Sequence, residues 1–293
     1  MIGILHFAYG APQSLDDLTT YFSHVLKGKT PPAPMMANIT KQFARVGKPD
    51  LIGGATSRIA QGLQQLLPAT RIYTGYRHTT PFIADSVQQM LADGVTKIIV
   101  LPINPIHSKS GSGAVHDEVD ALVNNAVPVV HLNEWHLHPA IIDVYASRVR
   151  RANQWLPHLA QQQAVTLFTA HSQPLDKERN TAYTQQLQAM ATAIAAAAQL
   201  PHAQVAYRSA KERANWLGPD VKDAITSAVE QGRTGIVTCE LLSLAPDVES
   251  FFEIGADCQA HCEALNIPFV QSEFPSDSID TVLALKEIIT PHL

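Results

Sequence analysis

Two sets of four apolar, β-branched runs, separated by longer helical stretches, constrain this chain more than any other feature. In the first half they are "IGILHF" (2–7), "RIYTGY" (71–76), "KIIVLPI" (97–103) and "VPVVH" (127–131). In the second they are "AVTLFTA" (164–170), "AQVAYRS" (203–209), "TGIVTCELL" (234–242) and "IPFVQSE" (267–273). Continuous rather than alternating hydrophobicity marks strands buried on both faces. The segments between them carry helical punctuation. "TPFIADSVQQMLADG" has Pro81 in its first turn and Gly94 past its end, and "GPDVKDAITSAVEQG" repeats this with Pro219 and Gly232. Strands alternating with helices predict parallel sheets covered on both faces. At 293 residues there is room for two such units, 1–155 and 156–293, with the boundary in "RRANQWLPHLAQQQ".

Ligands of such folds bind beyond the carboxyl ends of the strands, so the residues there carry the functional weight. The sequence has no G-x-G-x-x-G, P-loop or G-x-S-x-G, which leaves a nucleotide enzyme or an α/β-hydrolase without support. A formal charge of −5 gives no reason to expect nucleic acid. The opening "MIGILHFAYGAP" lacks the basic region of a secretory signal, and "AMATAIAAAA" falls short of the ~20 apolar residues of a membrane span. The expectation is a protein without stable membrane insertion. Cys239, Cys258 and Cys262 form no disulfide or metal pattern and read as structural thiols in a reducing cytoplasm.

Three strand ends stand out. "TLFTAHSQP" puts His171 directly after an apolar strand, and "HFAYGAP" puts Tyr9 at the corresponding place in the first half. "TCELLSLAPD" runs from strand into helix with Pro246 in the first turn, leading into "VESFFEIGADC" (248–258). Read as an α-helix, that stretch stacks Glu249, Glu253 and Asp257 one turn apart. Like charges at this spacing cost a helix ~0.2–0.5 kcal/mol per pair. Carboxylates and an imidazole around one cleft serve proton transfer or a hard divalent cation. Taken alone, His171 also suits a core histidine, the acidic triplet a solvated face and Tyr9 a packing aromatic.

"FAYGAP", "GYRHTTPFIADSV", "TAHSQP", "NWLGPDV" and "DVESFFE", in this order along the whole chain, resemble the ferrochelatases. The similarity is greatest to the compact, monomeric Gram-positive form that metallates coproporphyrin III. The resemblance implies two similar Rossmann-like domains, each a four-stranded parallel sheet flanked by helices (the chelatase fold), with a porphyrin cleft between them. It implies insertion of Fe²⁺ into a porphyrin in haem biosynthesis, with release of two pyrrole protons. Coproporphyrin III is favoured over protoporphyrin IX. By the matching motifs, His171 is the proton acceptor or metal ligand and Glu249 the catalytic glutamate opposite it. Glu253 and Asp257 continue as a proton or metal relay, and Tyr9 lies near the iron on the other porphyrin face. Metal contacts are thus expected from His171, Glu249 and Tyr9, and porphyrin contacts from Tyr9, Lys27, Arg77, His78 and Trp216. The implied partners are the porphyrin and ferrous iron as substrates, with no permanently bound cofactor. A divalent cation at the acidic ladder is compatible with this, and the expected state is a cytoplasmic monomer.

Several positions depart from the family. Asp247, in "APDVE", stands where relatives carry a histidine, and Arg208 where they carry glutamine before a serine. Arg77-His78 replaces a Lys-His pair, Leu26 a basic residue, and "GGATSR" (53–58) a longer glycine-rich segment. The loop "INPIHSKSGSG" (103–113) is heavily changed, with His107 and Lys109 as possible propionate contacts. Two other functions fit the same motifs: a tetrapyrrole or haem carrier that binds without inserting, and a chelatase for another metal such as cobalt. Asp247 speaks against the second, since cobalt chelatases use two histidines.

Overall fold

The computed structural model describes residues 1–47, 51–210 and 215–293, with the backbone alone at 177–179. The eight apolar runs become β1 (Ile2–Ala8), β2 (Thr70–Tyr76), β3 (Lys97–Pro102), β4 (Val129–His131), β5 (Ala164–His171), β6 (Ala203–Arg208), β7 (Gly235–Glu240) and β8 (Phe269–Gln271). They build two four-stranded sheets with the same order, β2-β1-β3-β4 and β6-β5-β7-β8. Every pairing is parallel. The two sheets flanked by helices match the duplicated α/β architecture expected from the pattern. The direction of winding reverses between β1 and β3, and again between β5 and β7. Each reversal leaves a crevice at the carboxyl ends of those strands.

The repeat extends to detail. The Tyr76 N–H donates to the Pro81 carbonyl at 2.8 Å, and the Tyr207 N–H to that of Pro219 at 2.8 Å. Because each proline is held to a strand end, its helix starts later than expected. Phe82 and Asp220 are the N-caps of Ile83–Ala92 and Val221–Glu230, so Pro81 and Pro219 lie before the first turn rather than in it. Pro246 likewise precedes the N-cap Asp247. Gly94 and Gly232 close their helices with φ of 73° and 77°, a region open to glycine without a Cβ penalty. His171 is the last residue of β5, in register with Arg208, rather than the first residue beyond the strand.

One apolar core spans both sheets. It runs from Ile4 and Ile99 through Ile59, Tyr145 and Leu285 to Phe168 and Leu187. The helices Leu51–Leu66, Pro139–Trp155, Lys177–Ala198 and Ile279–Ile289 pack against one another within it. Arg148, 4% exposed on Pro139–Trp155, reaches Asp280 at 2.8 and 3.0 Å and Ser278 Oγ at 2.5 Å. After β1 the helices Leu18–Val25 and Ala33–Val46 lean on the second half, where Leu18 and Phe43 pack against Val248 and Phe252.

The acidic ladder is not a regular α-helix. Val248–Phe251 is α-helical, Phe252–Ala256 is a π-turn, and Asp257–Ala264 is α-helical again. The Asp257 N–H bonds the Phe252 carbonyl, five residues back. Side chains take carbonyls inside this turn: Thr238 Oγ1 donates to Ile254 O at 3.0 Å and Cys258 Sγ to Glu253 O at 3.0 Å. Such intrusion is a physical cause of π-bulges. The wide turn breaks the i,i+4 stripe on which Glu249, Glu253 and Asp257 were expected.

Candidate active site

A cleft of about 1330 Å³ opens at the carboxyl ends of the strands. Tyr9, Lys27, Arg77 and His78 line it from the first half, and His171, Arg208, Trp216, Asp247 and Glu249 from the second. Seven of the nine residues to which the family resemblance gives a site role therefore face one space. The other two do not: Glu253 and Asp257 line a separate polar cavity of about 370 Å³, beside Ser209, Lys41 and Lys222. Both oxygens of Glu253 accept from Ser209 Oγ, at 2.8 and 2.9 Å, and burial raises the pKa of this carboxyl.

His171 is held in one orientation. Its Nδ1 lies 2.6 Å from the Ser172 carbonyl oxygen, and its own carbonyl accepts from Tyr183 Oη at 2.8 Å. A carbonyl only accepts, so Nδ1 carries the hydrogen and Nε2 of the neutral ring keeps a free lone pair. That atom lies 3.6 Å from Oε2 of Glu249. Burial lowers the His171 pKa below its ordinary value, and the Arg208 charge adds to this, while Glu249 and Asp247 oppose it. The neutral, proton-accepting ring is thereby favoured near neutral pH. The Trp216 ring centroid is 6.0 Å from that of His171.

Behind this pair sits Arg208, 3% exposed. Nη1 donates to Glu249 Oε2 at 2.9 Å and Nη2 to Asp247 Oδ2 at 3.0 Å, and Nε lies 3.6 Å from Glu240 Oε2. Asp247 also caps its helix, accepting the Ser250 N–H at 2.6 Å while its own N–H donates to Ser250 Oγ at 3.0 Å. Burial pushes Asp247 upward, but Arg208 and the Ser250 bonds outweigh it and leave the pKa below the ordinary value. Glu240, fully enclosed on β7, accepts from Thr169 Oγ1 at 2.8 Å, and burial raises it to about 7. In the sequence Arg208 stands out only as a departure from the family, and Glu240 and Ser209 belong to none of the matching motifs. A glutamate inside the apolar run "TGIVTCELL" was the available signal for Glu240.

The opposite wall mirrors this one. Tyr9 follows β1 as His171 ends β5, and Arg77 follows β2 as Arg208 ends β6. The Tyr9 and His78 rings are 4.3 Å apart, and the Arg77 guanidinium lies 6.0 Å from the Tyr9 ring centroid. Arg77 Nη1 also donates to Ser110 O at 2.5 Å. Burial raises the Tyr9 pKa against the opposing Arg77 charge, so the phenol stays protonated. Burial lowers His78 to about 3, and its Nδ1 lies 2.8 Å from that of His24. In the changed loop, Ser108 and Ser110 line the cleft, whereas His107 turns its Nδ1 to Ser112 Oγ at 3.1 Å.

Among the described residues no three His, Cys, Asp or Glu side chains converge into a closed metal-holding group. His171 Nε2 and the Glu249 carboxylate instead form an open pair on one wall, able to meet a metal ion or to take a proton. No described helix is long and apolar enough to cross a membrane.

Comparison with known proteins agrees with this architecture. The sequence model of the ferrochelatase family matches residues 1–293. Coproporphyrin III ferrochelatase 2 of Bacillus cereus is 26% identical, the match covering 100% of this chain and 97% of the relative. A ferrochelatase of Herpetosiphon aurantiacus is 27% identical over 98% of this chain and 97% of its own. Among solved structures, SirB from Bacillus subtilis with Fe³⁺ superposes with a TM-score of 0.63 at 11% identity, covering 99% of this chain and 94% of that one. CbiX, described as the terminal enzyme of sirohaem biosynthesis in denitrifying bacteria, gives 0.55 at 12% identity, covering 100% and 99%. At such identities these two speak for the fold alone.

Proposed function

The chain belongs to the ferrochelatase family, whose enzymes insert a metal ion into a tetrapyrrole, and from that premise we propose that it inserts Fe²⁺ into coproporphyrin III. The observation that carries the proposal is the bare Nε2 of His171 facing Glu249 in a cleft large enough for a flat macrocycle.

A planar porphyrin keeps its nitrogen lone pairs in the ring plane, where an entering cation cannot reach them. Contacts remote from the ring centre must supply the energy that bends it. Lys27 and Arg77 serve the propionates, and His78 and Trp216 pack at the macrocycle edge. His171 Nε2 takes one pyrrole proton as Fe²⁺ binds, and Glu249, held by Arg208, takes the other. Two protons leave as one dication enters, so charge balances. Tyr9 approaches the metal from the opposite face as a neutral phenol. Glu253 and Asp257, in their own polar cavity, are the outward end of the proton route. The fixed groups are one imidazole, one carboxylate and a phenol oxygen, a set compatible with Fe²⁺ but also with Zn²⁺. The protein acts as a cytoplasmic monomer, with residues 1–155 and 156–293 as the two walls and no resident cofactor.

A second reading has one observation in its favour. Arg208 already occupies Glu249 Oε2 at 2.9 Å, which suits a carrier that binds tetrapyrroles and metallates them poorly. An anaerobic absorbance assay separates the two, with Fe²⁺ or Zn²⁺, coproporphyrin III or protoporphyrin IX, and a His171→Ala control. Coproporphyrin turnover that vanishes in the control supports the chelatase. A spectrum that shifts on binding without metallation supports the carrier.

A further inference from the structure

We propose that Arg208 is a positioning residue for metal insertion, a buried clamp that holds the Glu249 carboxylate toward His171. The inference rests on the chelatase reading above and assigns a task to a residue which that reading leaves in the background.

A guanidinium 3% exposed has exchanged nearly all its water for protein partners, and here these are carboxylates. Two of them are fixed. Asp247 is locked to the start of its helix by the reciprocal bonds with Ser250. Glu240 is enclosed on β7, bonded to Thr169 from the neighbouring strand. Arg208 is itself fixed at the end of β6, in register with His171. The third carboxylate differs: the Glu249 side chain is 55% exposed and reaches into the cleft. The planar fork spans Asp247 and Glu249 from adjacent nitrogens, at 3.0 and 2.9 Å. The rigid partner therefore sets the position of the free one. A flexible glutamate left alone would spread over several rotamers, few of them facing His171. The same contact keeps Glu249 compensated when a macrocycle displaces water from the cleft.

The test crosses Arg208→Lys and Arg208→Gln with Glu249→Gln. Lysine keeps the charge but not the fork. If Arg208 acts through Glu249, Arg208→Lys lowers kcat about 10- to 100-fold, with the porphyrin KM and Tm little changed. In the Glu249→Gln background the same change adds no further loss. Equal losses in both backgrounds would overturn the proposal. A readout independent of turnover is the Glu249 side chain in a crystal structure of the Arg208→Gln protein, or of Arg208→Lys if glutamine prevents folding. A carboxylate turned away from His171 supports the clamp, and one left in place overturns it. A wild-type protein that inserts no metal would sink the chelatase reading, while this structural comparison would still decide the clamp.

Discussion

Nε2 of His171 stands 3.6 Å from Oε2 of Glu249, too far for a direct hydrogen bond and close enough for one proton or one metal ion to engage both. The pair joins the end of β5 to the short helix Val248–Phe251 that follows β7, so it exists only once the second sheet is formed. Glu249→Gln keeps the shape and removes the charge. Insertion should fall by about 10²–10⁴ in kcat, while the porphyrin Kd moves less than about threefold. A variant with normal turnover would remove Glu249 from the proton route.

The environment of His171 makes a pH prediction. Burial first, then Arg208, lowers its pKa, and the neutral ring is the proton acceptor. As pH falls, activity is lost when this ring protonates, so a lowered pKa moves the acid limb of kcat/KM downward. That limb should lie below ~6.5, the ordinary imidazole value. A limb at or above that value would mean that the carboxylates around His171 outweigh its burial and Arg208.

Tyr9 should matter less. Its phenol is raised in pKa by burial and is protonated at neutral pH, so it can offer an oxygen but cannot readily take a proton. Tyr9→Phe keeps the tilted ring contact with His78 and should lower kcat less than about tenfold. Complete loss of turnover would require a direct role in metal transfer.

The strands were legible because each is an apolar run buried on both faces. His171, Glu249, Tyr9, Lys27, Arg77, His78 and Trp216 were found through motifs, and they share the cleft. What the sequence concealed depends on distant partners. The π-turn at Phe252–Ala256 is bound up with Thr238, on β7, bonding the Ile254 carbonyl, and no local period signals it. Asp247 and Arg208, two separate departures from the family, meet at 3.0 Å across 39 residues of sequence. Either replacement alone reads as the loss of a family group, whereas together they form an ion pair. The late starts of the helices after Pro81 and Pro219 depend on carbonyls bonded to strand ends, which helix-start rules do not see.

Arg148 ties the two halves together near Asp280. Its guanidinium also donates to the Val144 carbonyl and to Ser278 Oγ, at 3.0 and 2.5 Å. Arg148→Ala leaves these acceptors and the carboxylate without their donor, and should cost about 3–5 kcal/mol in urea unfolding. Asp280→Asn should cost about 1 kcal/mol or less, because that side chain is 48% exposed and water replaces much of the contact. Equal costs would mean that the ion pair itself, rather than the buried donors, holds the halves together.

Acid should weaken the fold through histidines held neutral. His6 is fully buried on β1, where burial lowers its pKa to about 4 against a smaller opposing effect of the Leu101 carbonyl. Burial likewise lowers His116 to about 3, with the nearby His131 and His107 adding to it. In the unfolded chain both titrate near ~6.5. Between that value and the folded pKa the unfolded state binds more protons, so stability is full above pH ~6.5 and declines as pH falls toward 4. Each such histidine contributes a slope of roughly 1.4 kcal/mol per pH unit in that window. His6→Gln removes one of these slopes, so its unfolding free energy should fall less steeply between pH 6.5 and 5 than that of the wild type, whatever offset it shows at pH 7.5. Parallel pH dependences for the two proteins would mean that His6 binds no extra proton on unfolding.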